Sequence, residues 1–543
     1  MCGFAVAINY NGDLKNLNDH FDRVQYRGPD NTQHLVCDED VLFSFYRLAI
    51  VDLTDDGNQP MLHPEDSELI LVCNGEIYNH KELRDKYQFE VGSDSDSEII
   101  LHMYKKWGLK RTLEELDGVY AFVLYDRTEG VFHVARDPFG VRPAFWGYDD
   151  QGALFLASEA KAMSDLVLKV RAFPPGHVMS FYKWQLRAPT VYEHFKYPEV
   201  MKQEVSEDEL LFQIRHRLTQ SVEKRLMSDR PLGCLLSGGL DSSLIAALVT
   251  RSLGRPVHTF SIGMEGSVDL KYARQVADHI GSIHHEVELS EQDFLDAIEM
   301  VIYRIESYDT TTVRASVGNT LVSKYIKENT DCTVIFNGDG SDEVCCGYFY
   351  NINAPSLEAL QEESIRLVRE LYLFDVLRSD RSISSNGLEA RTPFLDPYFV
   401  SYYLSIPPQF KRFDQHKMEK YLLRKAFDGT NLLPDSVLWR RKCAFSDGVS
   451  SQARSWHQIL QEKINRDISD KELSEHEYKH CPPLLKESLF YRRCFERFFG
   501  AQNATLIPHF WMPKWTDVID PSARELSGYQ ESEEQIKERY ASK

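Results

Sequence analysis

The sequence predicts two unlike halves: an α+β half of antiparallel strands with few helices, then an α/β half with a parallel sheet and a helical C-terminal part. Three observations predict this. From Cys2 to about Pro189 the chain reads as short β-runs broken by turns. From about Ser206 short apolar runs alternate with amphipathic segments, the strand–helix alternation of a parallel sheet covered on both faces. Beyond about Leu357 the pattern is mainly helical. A chain of 543 residues is also too long for one core, and at roughly 100–200 residues per domain it should hold two to four.

In the first half Gly3–Ile8 precedes Asn11-Gly12, and Leu69–Cys73 precedes Asn74-Gly75. Val119–Tyr125 faces Val131–Ala135 across a turn ending at Gly130, a hairpin signal. Ser97–Lys106, apolar at 99, 100 and 103, is one of the few helical stretches. In the second half Leu232–Leu236, Val257–Ile262 and Thr333–Phe336 are strands, with helices over Leu270–Ile280 and Gln292–Ile305. A polar, proline-bearing stretch from Arg187 to Glu207 separates the halves. The expected organisation is a first domain over 2–190, a linker over 191–206, a second domain over 207–520 and a flexible Glu- and Lys-rich tail over 521–543.

The composition, 43% hydrophobic and 27% charged, is that of an ordinary soluble protein. A net charge of −21 disfavours nucleic acid and anionic membranes as partners, since both repel an acidic surface. No stretch approaches the ~20 apolar residues that cross a bilayer. The apolar start, Met1–Ile8, is short and lacks the basic segment and cleavage pattern of a signal peptide, so the expected location is cytoplasmic. Ten scattered cysteines with no CxxC pair suit neither a zinc site nor a disulfide framework.

Ser237-Gly238-Gly239-Leu240-Asp241-Ser242-Ser243 carries the strongest local signal. It follows the strand ending at Leu236 and opens an apolar helix. Free N–H groups, hydroxyls and the positive end of a helix then converge on one point, which suits an anion better than a plain turn does. No Lys follows the glycines, so this is not a GxxxxGK[ST] loop. A second cluster, Asn337-Gly338-Asp339-Gly340-Ser341-Asp342-Glu343, also follows a strand and would emerge at the same sheet edge. Its carboxylates suit Mg²⁺ shared with phosphate oxygens, although alone it reads as a solvated acidic loop.

Cys2 is the candidate nucleophile. A small second residue favours removal of Met1, and the exposed α-amine, with a pKa near 8, can take the thiol proton. By itself a buried edge-strand cysteine is the plainer account. Around it stand Arg47 in Tyr46–Asp52, the run Asn74-Gly75-Glu76, and Asp96. A forked Arg suits a carboxylate and an acid suits an α-ammonium, the two ends of an amino acid. Asn74 and Gly75 are candidate donors to an oxyanion.

These residues together resemble the class II glutamine-hydrolysing asparagine synthetases over nearly the whole chain. Met1-Cys2-Gly3, Arg27-Gly28-Pro29-Asp30, Asn74-Gly75-Glu76 and Arg136–Gly140 resemble an N-terminal-nucleophile amidotransferase domain of layered antiparallel sheets. Ser237–Ser243, Thr311–Ser316, Gly340–Glu343, Glu389–Asp396, and Lys442 with Phe445–Gly448 resemble the ATP-pyrophosphatase synthetase domain. The resemblance implies glutamine, aspartate and ATP as substrates, Mg²⁺ as cofactor and an assembly compatible with a homodimer. Cys2, Asn74, Gly75, Asp339 and Lys442 are the implied catalytic residues. Arg47, Leu48, Ala49, Ile50, Val51, Asn74, Gly75, Glu76 and Asp96 are implied to bind glutamine. Leu236, Ser237, Gly238, Gly239, Asp241, Ser242, Ser243, Ile262, Asn337 and Gly338 are implied to hold ATP and pyrophosphate. Thr311 and Arg314 are implied for the aspartyl intermediate, and Asp241 and Asp342 for the metal.

The chain departs from the family pattern at a few points. Asp339 stands where a Glu is usual, one methylene shorter, and Cys345-Cys346-Gly347 replaces a step that usually ends in two glycines. Ser97 replaces a common Cys, and Tyr46 a common His. The rival readings are a relative amidating another carboxylate, or a non-catalytic descendant that binds glutamine or ATP. The intact Cys2, Arg47 and Asn74–Glu76 set weighs against a β-lactam-forming relative, which needs no glutamine hydrolysis.

Overall fold

The computed structural model describes residues 1–413, 418–442, 448–451 and 454–522. Phe445–Asp447 and the tail from residue 523 lie outside the described residues.

The first half packs two six-stranded antiparallel sheets face to face. One runs, edge to edge, Arg171–Ala172, Phe145–Tyr148, Leu154–Ala157, Gly3–Ile8, Val41–Arg47 and Asn31–Cys37. The other runs Thr190–Glu193, His177–Tyr182, Val131–Arg136, Gly118–Asp126, Asp66–Ile77 and Met61–His63. Strand alternation divides each strand between two cores. Phe4, Val6 and Ile8 point inward onto Ile70, Val72, Val123 and Phe132, while Ala5 and Ala7 face Leu17 and Phe21 of helix Leu14–Phe21. The expected hairpin is present, with Ala121 opposite Arg136, Asp126 opposite Val131 and Gly130 in the left-handed region. The helix expected over 97–106 runs from Glu98 to Glu115, interrupted at Gly108, whose φ of 75° is non-helical.

The second half contains a five-stranded parallel sheet in the order Ile283–Glu288, His258–Gly263, Leu232–Leu235, Val334–Phe336, Glu389–Arg391. The chain leaves the central strand to one side and later returns to the other, so the loops after Leu235 and Phe336 diverge around a crevice at the carboxyl edge. Beyond residue 357 the chain is helical as expected, except that Glu389–Arg391 joins this sheet beside Val334–Phe336. Three residues are too few to display a strand period, and their pairing is set by the neighbouring strand. Thr190–Glu193, within the stretch read as a connector, pairs with His177–Ser180 at an edge of the first half.

Buried charge joins the halves. Arg27 binds Glu159 at 2.5 Å within its own half and Asp380 at 2.8 Å in the other. Arg142 donates to the Ala390 carbonyl at 3.3 Å, and Arg391 lies 3.2 Å from Glu76. Among the described residues no helix is long and apolar enough to cross a membrane.

Candidate active site

Cys2 immediately precedes the first strand, and its environment is set by Leu48 at the end of the strand pairing with it. The Leu48 N–H lies 3.4 Å from Sγ, and the thiol donates to the Leu48 carbonyl at 3.6 Å. Arg27 Nε holds the Cys2 carbonyl at 2.9 Å. Burial pushes the thiol pKa up, with the nearby α-ammonium offsetting part of that. The thiol therefore needs a base to become a nucleophile.

Asn74, Gly75 and Glu76 occupy the strand that faces the first strand across the sandwich. Asn74 is wholly buried, yet neither its Nδ2 nor its Oδ1 has a protein partner. Such orphaned groups are rare in native interiors and call for an explanation. A Cβ on Gly75 would lie 2.5 Å from the Val119 carbonyl, so no larger residue fits that register. Glu76 is pushed well above the usual carboxyl range by burial and by the charges of Glu389 and Asp96. Asp96 accepts the Ile77 N–H at 2.5 Å and is raised to about 6, chiefly by burial.

Arg47 is placed differently from a free carboxylate fork. Its Nη1 donates to the Thr54 carbonyl at 2.5 Å and to Asn58 at 2.9 Å, and its Nη2 to the Asp52 carbonyl, so it organises the 52–58 loop. Ala49 and Ile50 bind through backbone: Ala49 N–H to Asp30 at 2.9 Å, its carbonyl to Arg230 at 2.9 Å, and the Ile50 carbonyl to the Asp229 N–H at 2.9 Å. Val51 is half-buried against the core of the second half.

The second group of residues surrounds a cavity of about 300 Å³ at the crevice of the parallel sheet. Of the residues assigned to the nucleotide, all but Gly238 and Ser243 line it, as do Thr311, Arg314, Asp339, Asp342 and Lys442. Gly238 makes the loop possible: its φ is +71°, and a Cβ there would meet the Ala273 nitrogen at 2.4 Å. Ser237 and Ser242 share a hydrogen bond between hydroxyls at 3.0 Å, closing the loop at the start of helix Leu240–Leu253. Gly338 lets the two loops approach, since its Cβ would lie 2.7 Å from the Asp241 backbone.

Lys420 sits between the loops and carries no local sequence signal. Its Nζ lies 2.6 Å from both Asp241 and Asp342, and Lys442 Nζ lies 2.5 Å from the other oxygen of Asp342. Burial works against the Lys420 charge, but the two carboxylates outweigh it; the two lysines in turn hold Asp342 well below the usual carboxylate range. Two hard carboxylates already gathered around one cation fit Mg²⁺, which binds through one or two carboxylates plus substrate phosphates. Asp339 is bound by Arg378 at 3.0 Å and raised to about 6 by burial. Arg378 also pairs with Asp375, which accepts the Gly340 N–H at 3.1 Å. Glu343 accepts from the Tyr348 hydroxyl at 2.5 Å and is raised to about 8, mainly by burial. Thr311 donates to Asp309 at 2.7 Å, the residue capping helix Thr310–Asn329. Arg314 is buried between Glu487 and Asp520.

Residues 1–200 match the model of the glutamine amidotransferase domain, and residues 213–358 and 352–517 match that of asparagine synthase. The glutamine-hydrolysing asparagine synthetases of Cricetulus griseus and Homo sapiens are each 44% identical to the chain, over 93% of its length and 95% of theirs. The chain belongs to this family. The Gallus gallus member is equally similar, at 44% identity and the same coverage. One family departure has a visible backbone consequence. Cys346, where the family pattern has a glycine, lies at φ +54°, a region that disfavours any residue with a Cβ. Its thiol lies 3.1 Å from the Ser364 hydroxyl in a buried pocket.

Proposed function

We propose that the chain makes asparagine by joining ammonia, released from glutamine at Cys2, to an ATP-activated aspartate. The supporting observation is that one chain carries both family regions, at 44% identity over 93% of its length. The first domain spans residues 2–190 with its edge strand completed at Glu193, and the second 207–520, with the chain between them as the linker.

With Met1 removed, the α-amine of Cys2 takes the thiol proton and the thiolate attacks the glutamine side-chain amide. Asn74 and the Gly75 N–H donate to the oxyanion that forms; the unpartnered, buried Asn74 amide supports this role. Glu76 and Asp96, with Arg47 acting through the 52–58 loop it holds, orient the amino-acid end, and the 48–51 backbone walls the pocket. Hydrolysis of the thioester frees glutamate. Ammonia passes through the protein interior to the second site, which keeps it unprotonated and nucleophilic.

At the second site the β-carboxylate of aspartate attacks the α-phosphorus of ATP, giving β-aspartyl-AMP and pyrophosphate. Leu236, Ile262 and Gly338 contact the nucleotide, and the 237–243 loop receives pyrophosphate through its N–H groups and hydroxyls. Asp241 and Asp342 would hold Mg²⁺, which supplies charge neutralisation to the phosphates. Thr311 and Arg314 orient the aspartyl group, Asp339 acts on the intermediate, and Lys442 stabilises the charge that develops. Ammonia then displaces AMP, yielding asparagine.

The test is a mass balance on purified, Met-processed protein with glutamine, aspartate and MgATP. Asparagine, AMP and pyrophosphate are expected in equal amounts, with glutamate at least matching them. Glutamate alone would leave only the amidotransferase half of the proposal standing.

A further inference from the structure

The chain segment from Trp511 to Ser522 reaches the cavity of the parallel-sheet half at its two ends, and none of the chemistry above uses it. Its middle is held by Lys514, which pairs with Glu363 at 2.8 Å, and by Trp515 packed against Leu360, and its two ends are tied to one helix. The Trp511 N–H donates to Asp309 at 2.8 Å, the carboxylate that caps helix Thr310–Asn329 and accepts from Thr311. Further along, both oxygens of Asp520 engage Arg314 on the same helix, at 2.9 and 2.8 Å. Trp511, Pro521 and Ser522 thereby become part of the cavity lining.

Arg314 is the hub of this attachment. Glu487 takes its Nε and Nη2 at 2.8 and 2.6 Å, so two carboxylates use four of the five guanidinium N–H groups. The two acids are not equivalent. Glu487 lies within helix Lys486–Phe499 and also accepts from Tyr491 at 2.8 Å and Gln461 at 3.1 Å. Asp520 belongs to irregular chain, and its further contacts are the Ser522 N–H at 2.8 Å and His457 at 3.8 Å. The Asp520 bond is thus the one whose loss would release the 520–522 end of the segment while leaving Arg314 paired.

The chemistry of the cavity gives such a wall a purpose. A β-aspartyl-AMP is an activated acid, and water competes with ammonia for it. Water adds to the β-carbonyl, the bond from that carbon to the AMP oxygen breaks, and aspartate, AMP and a proton result with no asparagine formed. Closing a site against water prevents such side reactions.

We propose that Asp520 is a positioning residue whose salt bridge to Arg314 seats Pro521 and Ser522 in the outer wall of the synthetase cavity, keeping water from the activated aspartate. This rests on the adenylate reading of the second site.

The test compares the full-length chain with Asp520→Asn, Asp520→Ala and Asp520→Glu, supplied with aspartate, MgATP and an ammonium salt. The Asn and Ala variants should raise the AMP formed per asparagine several-fold, with glutaminase turnover unchanged and the ratio largely restored in Asp520→Glu. A merely structural loss lowers both products together, so an unchanged ratio overturns the proposal whatever the total rate. Asparagine formed with ADP and phosphate in place of AMP and pyrophosphate by the unsubstituted chain would instead overturn the adenylate reading. Should the variants fail to fold, as lost glutaminase activity would reveal, hydrogen exchange on the unsubstituted chain decides. Aspartate with MgATP should slow exchange across 511–522, and unchanged or faster exchange there counts against the wall.

Discussion

The carboxylate of Glu389 lies 3.6 Å from the α-ammonium of Met1, with both groups buried. An edge strand of the parallel sheet thus grips the N-terminus of the antiparallel half. Burial lowers the amine below its ordinary 8.0, and the Glu389 charge offsets only part of that. Glu389 is also among the charges acting on Cys2, whose α-amine becomes the N-terminus once Met1 is removed.

Glu389→Gln should therefore shift the acid limb of the glutaminase pH profile downward. The neutral amine is the working base, and Glu389 favours its charged form, so removing that charge extends activity to lower pH. The profile of kcat/KM for glutamine against pH checks this, and a limb that stays put or moves up contradicts it. The same substitution removes the buried carboxylate shared by Arg142 and Arg391, leaving Arg391 with Glu76 alone, so stability should fall by about 3 kcal/mol. Glu389 itself is held at about 2 by those arginines against the penalty of burial. Its contribution is complete above pH 4.5 and disappears as pH falls through about 2, so the loss should shrink across that window.

Cys2→Ala should abolish asparagine formation from glutamine and leave formation from ammonium salts. The second cavity is built from other residues altogether, so its chemistry does not need the thiol. Parallel assays with each nitrogen source check the outcome, and loss of both activities would contradict two separable sites.

Lys420→Met should destabilise the chain by about 3 kcal/mol, because it leaves Asp241 and Asp342 facing each other with one buried cation removed. Added Mg²⁺ should then recover more thermal stability in the variant than in the parent, as the ion takes the place between the carboxylates. Equal Mg²⁺ responses would count against those two residues as ligands. The lysines hold Asp342 low, so their stabilisation is present above pH 3.8 and fades on acidification below it. The difference between variant and parent should fade with it.

Legibility in the sequence followed the range of the interactions. The Gly118–Asp126 hairpin and the two loops of the parallel sheet were readable because strand, turn and following element are contiguous. Lys420 was not, since it meets Asp241 across 179 positions and stands at φ +57° with no local pattern around it. Glu389–Arg391 escaped because its pairing is tertiary. Arg47 was legible as a fork, but which oxygens fill it depends on the 52–58 loop folding back. The seat of Arg314 between Glu487 and Asp520 likewise joins residues 173 and 206 positions away.

Asp339→Glu tests the one acidic departure in the second cavity. Asp339 reaches Arg378 at 3.0 Å, and Arg378 is shared with Asp375. Burial and the Asp375 charge raise Asp339 to about 6 against the pull of that arginine. A glutamate can keep the arginine contact while extending its carboxylate one methylene further into the cavity. Displacing a catalytic group by about 1 Å can cost on the order of 100-fold in rate, so the longer acid should equal or exceed the parent in asparagine formation. Glutaminase activity should not change, because Cys2 and its partners lie in the other half. Rates of glutamate and asparagine formation measured side by side decide the matter. A collapse of synthesis with glutaminase intact would mean that Arg378 and Asp375 have closed the pocket around the shorter acid.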